Sequence, residues 1–335
     1  MSPQTIAEVV ELARHVFAVP ARGGVVLGGG ATANQVIALT DGAGRRRWVL
    51  RSPRRDARPA RLGFLLGFHH AARARGLPVA VPQPTVDGQG WAHDAHGHPW
   101  VLLEYLPGRP LTVVTDELAE LAAWQLAAFH RLPDRLGFPA AAVVPETAWD
   151  AWLTAPDATW CACAETAAEH RSLLDAYRVH LERFHRHAAE LRKATDRVWG
   201  HGDFHGHNLL HHAGRITGIV DLDGVGLRPR STDVAYAVLM LARTGSGDYR
   251  LQPHLVRRLL AGYQRHAASP LTRAETRALW SAMVLSQLPD PAHLTALRRR
   301  GRDLGPALAR PLAALRDLAA QRTRLSSLLT ESALR

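Results

Sequence analysis

Lysine is all but missing: Lys193 is the only one in 335 residues, so nearly all the positive charge is arginine. The formal net charge of +11 and the pI near 10.9 therefore reflect an arginine-rich composition, such as a GC-rich genome gives, and argue only weakly for nucleic-acid binding. Outside the clusters at 45–47, 54–55 and 298–300 the arginines are scattered, with few aromatics among them. A single-strand platform needs a basic groove and stacking rings together. Cysteine is scarce as well: Cys161 and Cys163 are too few for a disulfide framework and too close together for a structural zinc site. No apolar run approaches the ~20 residues needed to cross a bilayer. Glu8 and Glu11 stand where a secretory leader has its basic and apolar regions. The expectation is a cytoplasmic protein with neither membrane nor nucleic acid as partner.

What is present is an ordinary globular composition, 47% hydrophobic and 21% charged, long enough for one bilobal domain or two modest ones. Ile6, Val9, Val10, Ala13, Val16 and Phe17 form one stripe of an amphipathic helix. Two β-rich runs around Asp41-Gly42-Ala43-Gly44 predict a hairpin. Helical periodicity covers 60–75, and Gly76-Leu77-Pro78 stops it. A second hairpin turns at 94–98 and ends at Pro107-Gly108. Beyond lie helical patterns at 116–132, at 165–196 and from 231 onward, with short apolar segments at 198–199 and 216–220 flanking a histidine-rich loop. The expected class is α+β, with a β-rich part over 1–107 and a mainly helical part over 108–335 that holds one small hairpin-like insert.

The densest chemistry lies in VWGHGDFHGHNLLHHAGRITGIVDLDGVG. Asp203, Asn208, Asp221 and Asp223 together offer a carboxylate to orient an acceptor hydroxyl and oxygen ligands for Mg²⁺, the set that phosphoryl transfer from ATP needs. Zinc is the rival reading, because His201, His205, His207, His211 and His212 crowd the same stretch. Yet the segment has no H-E-x-x-H, and the spacings match no single helical face. A merely solvated histidine loop would leave the four oxygen-bearing residues unexplained together.

His201-Gly202-Asp203 with Asn208, followed by Ile219-Val220-Asp221, resembles the HGDxxxxN and I-D segments of aminoglycoside phosphotransferases, choline kinases and homoserine-type kinases. The stretch from Arg230 to Ala235 is similar to that family's D-L-A helix start. The resemblance spans about Leu27 to Tyr263 and implies a bilobal protein-kinase-like fold, with 1–107 as N-lobe and 108–335 as C-lobe. It implies Asp203 as catalytic base, Asn208 and Asp221 as Mg²⁺ ligands, and Asp223 as a contact to a second ion. His201 would buttress the loop, and Asp233 would either anchor it or serve as an ordinary N-cap.

In the N-terminal half the resemblance implies that Gly28, Gly29, Gly30 and Asn34 cover the phosphates. Trp48-Val49-Leu50-Arg51 is similar to the strand whose fourth residue is usually a phosphate-binding lysine. Here it is Arg51, which can hold phosphate oxygens bidentately but differs in shape. The glutamate expected on the next helix is absent: between Arg51 and Glu104 the only carboxylates are Asp56, Asp87 and Asp94. Leu102-Leu103-Glu104-Tyr105-Leu106-Pro107-Gly108 looks like the inter-lobe hinge, with the carbonyl of Glu104 and the amide of Leu106 reading adenine. Gly206-His207 stands where the family has Pro-Gly.

The fold does not name the acceptor. A net charge of +11 opposes capture of a polycation, unless Glu165, Glu169, Asp175 and Glu182 build a local acidic pocket; such a series is more often a solvated face paired with arginine. Three readings follow. The first is an ATP- and Mg²⁺-dependent O-phosphotransferase acting on a small-molecule hydroxyl of amino-alcohol, amino acid, sugar or antibiotic type. The second is a kinase for Ser/Thr hydroxyls of an acidic peptide or protein. The third is a nucleotide-binding module without transfer chemistry.

Overall fold

The computed structural model describes residues 5–28, 35–53, 58–95, 97–133, 136–138, 148–193, 197–245 and 247–333. It divides into two units, one of Met1–Arg109, Arg135–Val143 and Leu210–Val225, the other of Pro110–Asp134, Val144–Leu209 and Gly226–Arg335. The sequence placed a division after residue 107; here the first break follows Arg109, and two later segments group with the N-terminal part.

The first unit is built on a five-stranded antiparallel sheet in the order Gly23–Gly28, Val36–Thr40, Arg46–Arg51, Pro99–Glu104, Ala92–His93. The apolar run before Asp41 is thus two paired strands, Gly28 standing opposite Val36. Alternation along each strand gives the sheet two apolar faces. Leu50, Trp100 and Leu102 pack with Val9, Val10 and Ala13 of the helix Ile6–Val16, whose start is fixed by a capping box between Thr5 and Glu8. Val101 and Leu103 face the other way, towards Leu66 of the helix Pro59–Ala74 and towards Leu210 and Val220. Arg51, one residue beyond Leu50, projects on that second side as well.

Beyond residue 109 the chain is mostly helical, and it departs from the expected pattern in three places. The region after 231 is not continuously helical: Arg243–Gly245 and Asp248–Leu251 form a hairpin, and Gly247, just before the second strand, takes φ +82°. The two apolar segments around the histidine-rich loop do not pair with each other. Arg197–Gly200 pairs with Gly226–Pro229, whereas Arg215–Ile219 neighbours Leu209–His212. The helix expected over 165–196 is broken at its start, giving Pro156–Thr166, a 3₁₀ turn and Arg171–Lys193. No helix among the described residues is long and apolar enough to cross a membrane.

Candidate active site

In the second unit, the strand Arg197–Gly200 delivers the chain into the loop that carries Asp203. His201 is fully buried, lying between the rings of Phe129 and Phe204 with centroids 5.8 and 5.7 Å away. Its Nδ1 accepts the N–H of Asp203 at 3.2 Å. Gly202 has φ +81°, and a Cβ there would collide with the Arg228 guanidinium, so the position requires glycine. Asp233, on the helix Arg230–Leu241, accepts the backbone N–H groups of both His201 and Gly202 at 2.8 Å. The N-cap of that helix is Pro229, so Asp233 is the loop's anchor and not a cap. His130 Nε2 lies 3.1 Å from the Asp233 carboxylate, and His130 Nδ1 lies 2.8 Å from the Tyr263 hydroxyl. Burial would push the Asp233 pKa up. The His130 hydrogen bond and the charge of Arg228 outweigh it and hold this carboxyl far below its ordinary value.

Asp203 is ringed by donors. Tyr236 donates its hydroxyl to Oδ1 at 2.7 Å. Oδ2 accepts from Asn208 Nδ2 at 3.2 Å and faces His205 Nε2 at 3.3 Å. The Nδ1 of His205 accepts the His207 N–H, which leaves the ring proton on Nε2, towards Asp203. Burial raises the Asp203 pKa, but the hydrogen bonds from His205 and the Tyr236 hydroxyl bring it below the usual carboxylate range. The side chain nevertheless stays 42% exposed. An ionised carboxylate with open access can accept the proton of an approaching hydroxyl.

Asn208 closes the 3₁₀ turn Gly206–Asn208. Its Nδ2 also donates to the Asp203 carbonyl at 2.9 Å. Both oxygen partners of Nδ2 are acceptors, which fixes the amide orientation. Oδ1 is left with no protein donor among the described residues. A hard divalent cation takes such an oxygen, so this position fits Mg²⁺.

In the first unit, Asp221 lies two residues beyond the strand Arg215–Ile219, in the left-handed region at φ 59°, ψ 63°. Aspartate tolerates this conformation better than most residues. The turn Leu222–Gly224 follows and brings Asp223 round to the same cation as Asp221: Arg51 Nη2 lies 2.6 Å from Asp223 Oδ2 and 3.2 Å from Asp221 Oδ1. Asp221 keeps 46% of its side chain exposed, and its remaining oxygen is a second donor suited to a hard cation. Helix Pro59–Ala74 carries no carboxylate, as the sequence shows, but it does reach this turn: Arg61 Nη2 donates to the carbonyls of Asp223 and Val225 at 2.9 and 2.6 Å.

Glu104 ends its strand, with its N–H on the Val81 carbonyl at 2.8 Å. Its carboxylate lies 3.6 Å from Arg73. Leu106 is buried beside Ala80, Val101 and Leu103, and its N–H meets no protein acceptor among the described residues. Gly29, Gly30 and Asn34 lie outside the described residues. Of the suggested acidic pocket, Glu169 is engaged with Arg298 at 3.5 Å and sits beside His170. Among the described residues, the crowded histidines form no group with metal-holding geometry.

Three functional neighbours carry little sequence signal. Tyr236, three residues after Asp233, looks like an apolar helix position. His130 looks like the end of an amphipathic helix, and Arg61 like a solvated charge. Each finds its partner more than thirty residues away in the chain.

No curated protein matches the chain in sequence. Among solved structures it is similar to an aminoglycoside phosphotransferase from Alicyclobacillus acidocaldarius subsp. acidocaldarius DSM 446, with a TM-score of 0.66 and 17% identity over 99% of this chain and 98% of that one. A microcompartment-associated aminopropanol kinase is similar at a TM-score of 0.66 and 18% identity, over 99% of both chains. A spectinomycin phosphotransferase, solved with ADP and spectinomycin, is similar at a TM-score of 0.62 and 12% identity, again over 99% of both. These likenesses give the fold, the protein-kinase-like one, with its β-rich N-terminal part and helical C-terminal part. The phosphotransferase enzyme family itself matches residues 24–279, most of the sequence. The chain therefore belongs to the phosphotransferase enzyme family.

Proposed function

We propose that this phosphotransferase moves the γ-phosphoryl group of ATP, with Mg²⁺, to a hydroxyl of a small metabolite or antibiotic. The observation that carries the reading is Asp203: an accessible carboxylate, held ionised by His205 and Tyr236, in a loop whose backbone is pinned by the buried Asp233. Phosphoryl transfer asks little covalent chemistry of a protein and much positioning. Asp203 would orient the acceptor hydroxyl and take its proton. Asn208 Oδ1 and the Asp221 carboxylate would hold Mg²⁺, which when bound neutralises charge on the phosphate oxygens. Arg51, whose Nε and Nη1 meet no protein acceptor among the described residues, would grip those oxygens directly. The carbonyl of Glu104 and the free N–H of Leu106 would read adenine, and Gly28 to Gly30 with Asn34 would lie over the phosphates.

The small-molecule acceptor is supported by family membership and by neighbours whose names specify spectinomycin and aminopropanol. The positive charge and the pairing of Glu169 with Arg298 favour an acceptor that is not a polycation. The test is transfer from γ-labelled ATP with Mg²⁺ into a split panel of small hydroxyl compounds and acidic Ser/Thr peptides, with label sorted by product size. Label in the small-molecule fraction is expected. Label confined to peptides would overturn the acceptor class, and ATP binding without any labelled product would point to a binding module.

A further inference from the structure

Arg51 ends its strand on the side of the sheet opposite Leu50, and its side chain is 10% exposed. A buried guanidinium needs a counter-charge, and the helix that follows has none to give, since Pro59–Ala74 contains neither Asp nor Glu. The counter-charge comes instead from the turn after Asp221. Asp223 gives the shorter bond, 2.6 Å against 3.2 Å for Asp221. It is also the more enclosed acid, with 19% of its side chain exposed against 46%. The helix contributes a cation where a carboxylate was expected, because Arg61 holds the carbonyls of Asp223 and Val225 and so fixes the turn that presents Asp223. The fastening thus runs from helix to turn to strand.

The donors of Arg51 are divided accordingly. Nη2 is committed to the two acids. Nε is buried and has no hydrogen-bond partner, and Nη1 meets no protein acceptor among the described residues. A guanidinium tied at one nitrogen, with Nε and Nη1 unengaged in a buried setting, is arranged to receive oxygens from a ligand.

We propose that Asp223 is the positioning residue for Arg51, fixing the guanidinium through Nη2 so that Nε and Nη1 face the phosphate oxygens of the nucleotide. The sequence suggested Asp223 as a contact to a second cation; this assignment gives it to Arg51 and leaves the more open Asp221 for Mg²⁺. It rests on the nucleotide-binding reading above.

A double-mutant cycle with Asp223→Asn and Arg51→Met tests it, reading ADP affinity by calorimetry first in EDTA and then across a Mg²⁺ titration. In EDTA each single variant is expected to weaken ADP binding by roughly tenfold or more, the worth of a charge-assisted hydrogen bond. The double variant should bind no more weakly than Arg51→Met alone. The Mg²⁺ concentration giving half the metal effect should be unchanged by Asp223→Asn. A loss that persists in the Arg51→Met background, or that appears only in the Mg²⁺ titration, would overturn the assignment and make Asp223 a cation ligand. Failure of the wild-type chain to bind any nucleotide would overturn the nucleotide reading, and the phosphate role of Arg51 with it. Melting temperature reports whether Asp223→Asn folds. If it does not, Asp223→Glu carries the same cycle, with a partial loss expected that vanishes when Arg51 is Met.

Discussion

The hydroxyl of Tyr236 donates to Oδ1 of Asp203 at 2.7 Å, from one turn beyond Asp233 on the helix Arg230–Leu241. Residues three apart on a helix share a face. One face of this helix therefore sets both the backbone of the loop, through Asp233, and the carboxylate it presents, through Tyr236.

Removing that hydroxyl has a predictable sign. Asp203 must be ionised to take a proton, and Tyr236 is one of the groups that depress its pKa. Tyr236→Phe should move the acid limb of the kcat/KM profile to higher pH, while the alkaline limb and the melting temperature change little. A pH–rate series on the two proteins checks this. An unmoved acid limb would mean that the hydroxyl does not govern the base.

The base and the cation ligand should separate in their kinetics. Asp203→Ala is expected to lower transfer by about 10²- to 10⁴-fold, the usual worth of a positioned acid–base group, with nucleotide affinity nearly intact. Asp221→Ala should instead lose the Mg²⁺-dependent part of nucleotide binding. Calorimetry beside single-turnover transfer distinguishes them, and full activity of Asp203→Ala would remove its role as base.

The parts of this arrangement legible in the sequence are those whose signal is local. Asp203, Asn208 and Asp221 stand in one short stretch, and the apolar run WVLLE before Pro107-Gly108 is enough to predict a strand. The Arg51 anchor was not legible. The resemblance places its partner on the next helix, whereas Asp223 lies 172 residues further on, and only the turn after Asp221 brings it to Arg51. Tyr236 was hidden differently. On a helix buried almost throughout, a tyrosine reads as apolar volume, and nothing in the sequence says that its hydroxyl ends at a carboxylate. The hairpin at 243–251 was lost because its strands are three and four residues long, too short for alternation to register against the helices on either side.

The buried anchor should also appear in stability. Asp233 accepts two backbone N–H groups and contacts His130 while only 1% exposed. Asp233→Ala should cost ~3 kcal/mol or more, since breaking a buried network strands its partners. Its folded pKa is depressed, so the stabilisation is complete above the unfolded value of about 4 and declines as pH falls below it. Denaturant midpoints of wild type and Asp233→Asn should therefore converge in acid.

His69 imposes a second acid sensitivity, in a different window. It is buried on the helix Pro59–Ala74, with Nδ1 on the Ala80 carbonyl at 2.8 Å. Burial, with the charges of Arg51 and His70, lowers its pKa to about 4. A group that is neutral when folded and protonates near 6.5 when unfolded stabilises the fold fully above that pH. The contribution fades as pH falls from about 6.5 to about 4, by on the order of 3 kcal/mol in all. His69→Gln, which keeps a donor for Ala80, should flatten the melting temperature across that window. A wild-type profile already flat between pH 6.5 and 4 would contradict the burial of a neutral imidazole.

Gly206 gives the sharpest steric prediction, at the position where the resemblance implies proline. The loop turns back on itself there: the Leu111 N–H donates to the Gly206 carbonyl at 2.8 Å, and a Cβ on Gly206 would collide with the Leu111 carbonyl oxygen. The obstacle is backbone and not the end of a flexible side chain, so a substitution cannot be relieved by a rotamer change. Gly206→Ala must push apart the turn Gly206–Asn208 and the segment through Leu111, at about 1–3 kcal/mol. Because Asn208 closes that turn and holds Asp203 through Nδ2, the displacement should reach the base, lowering kcat more than it raises KM. Melting temperature and kcat, both read on Gly206→Ala, separate the two effects. If Gly206→Ala lost stability with kcat intact, the turn would be a structural joint with no hold on Asp203.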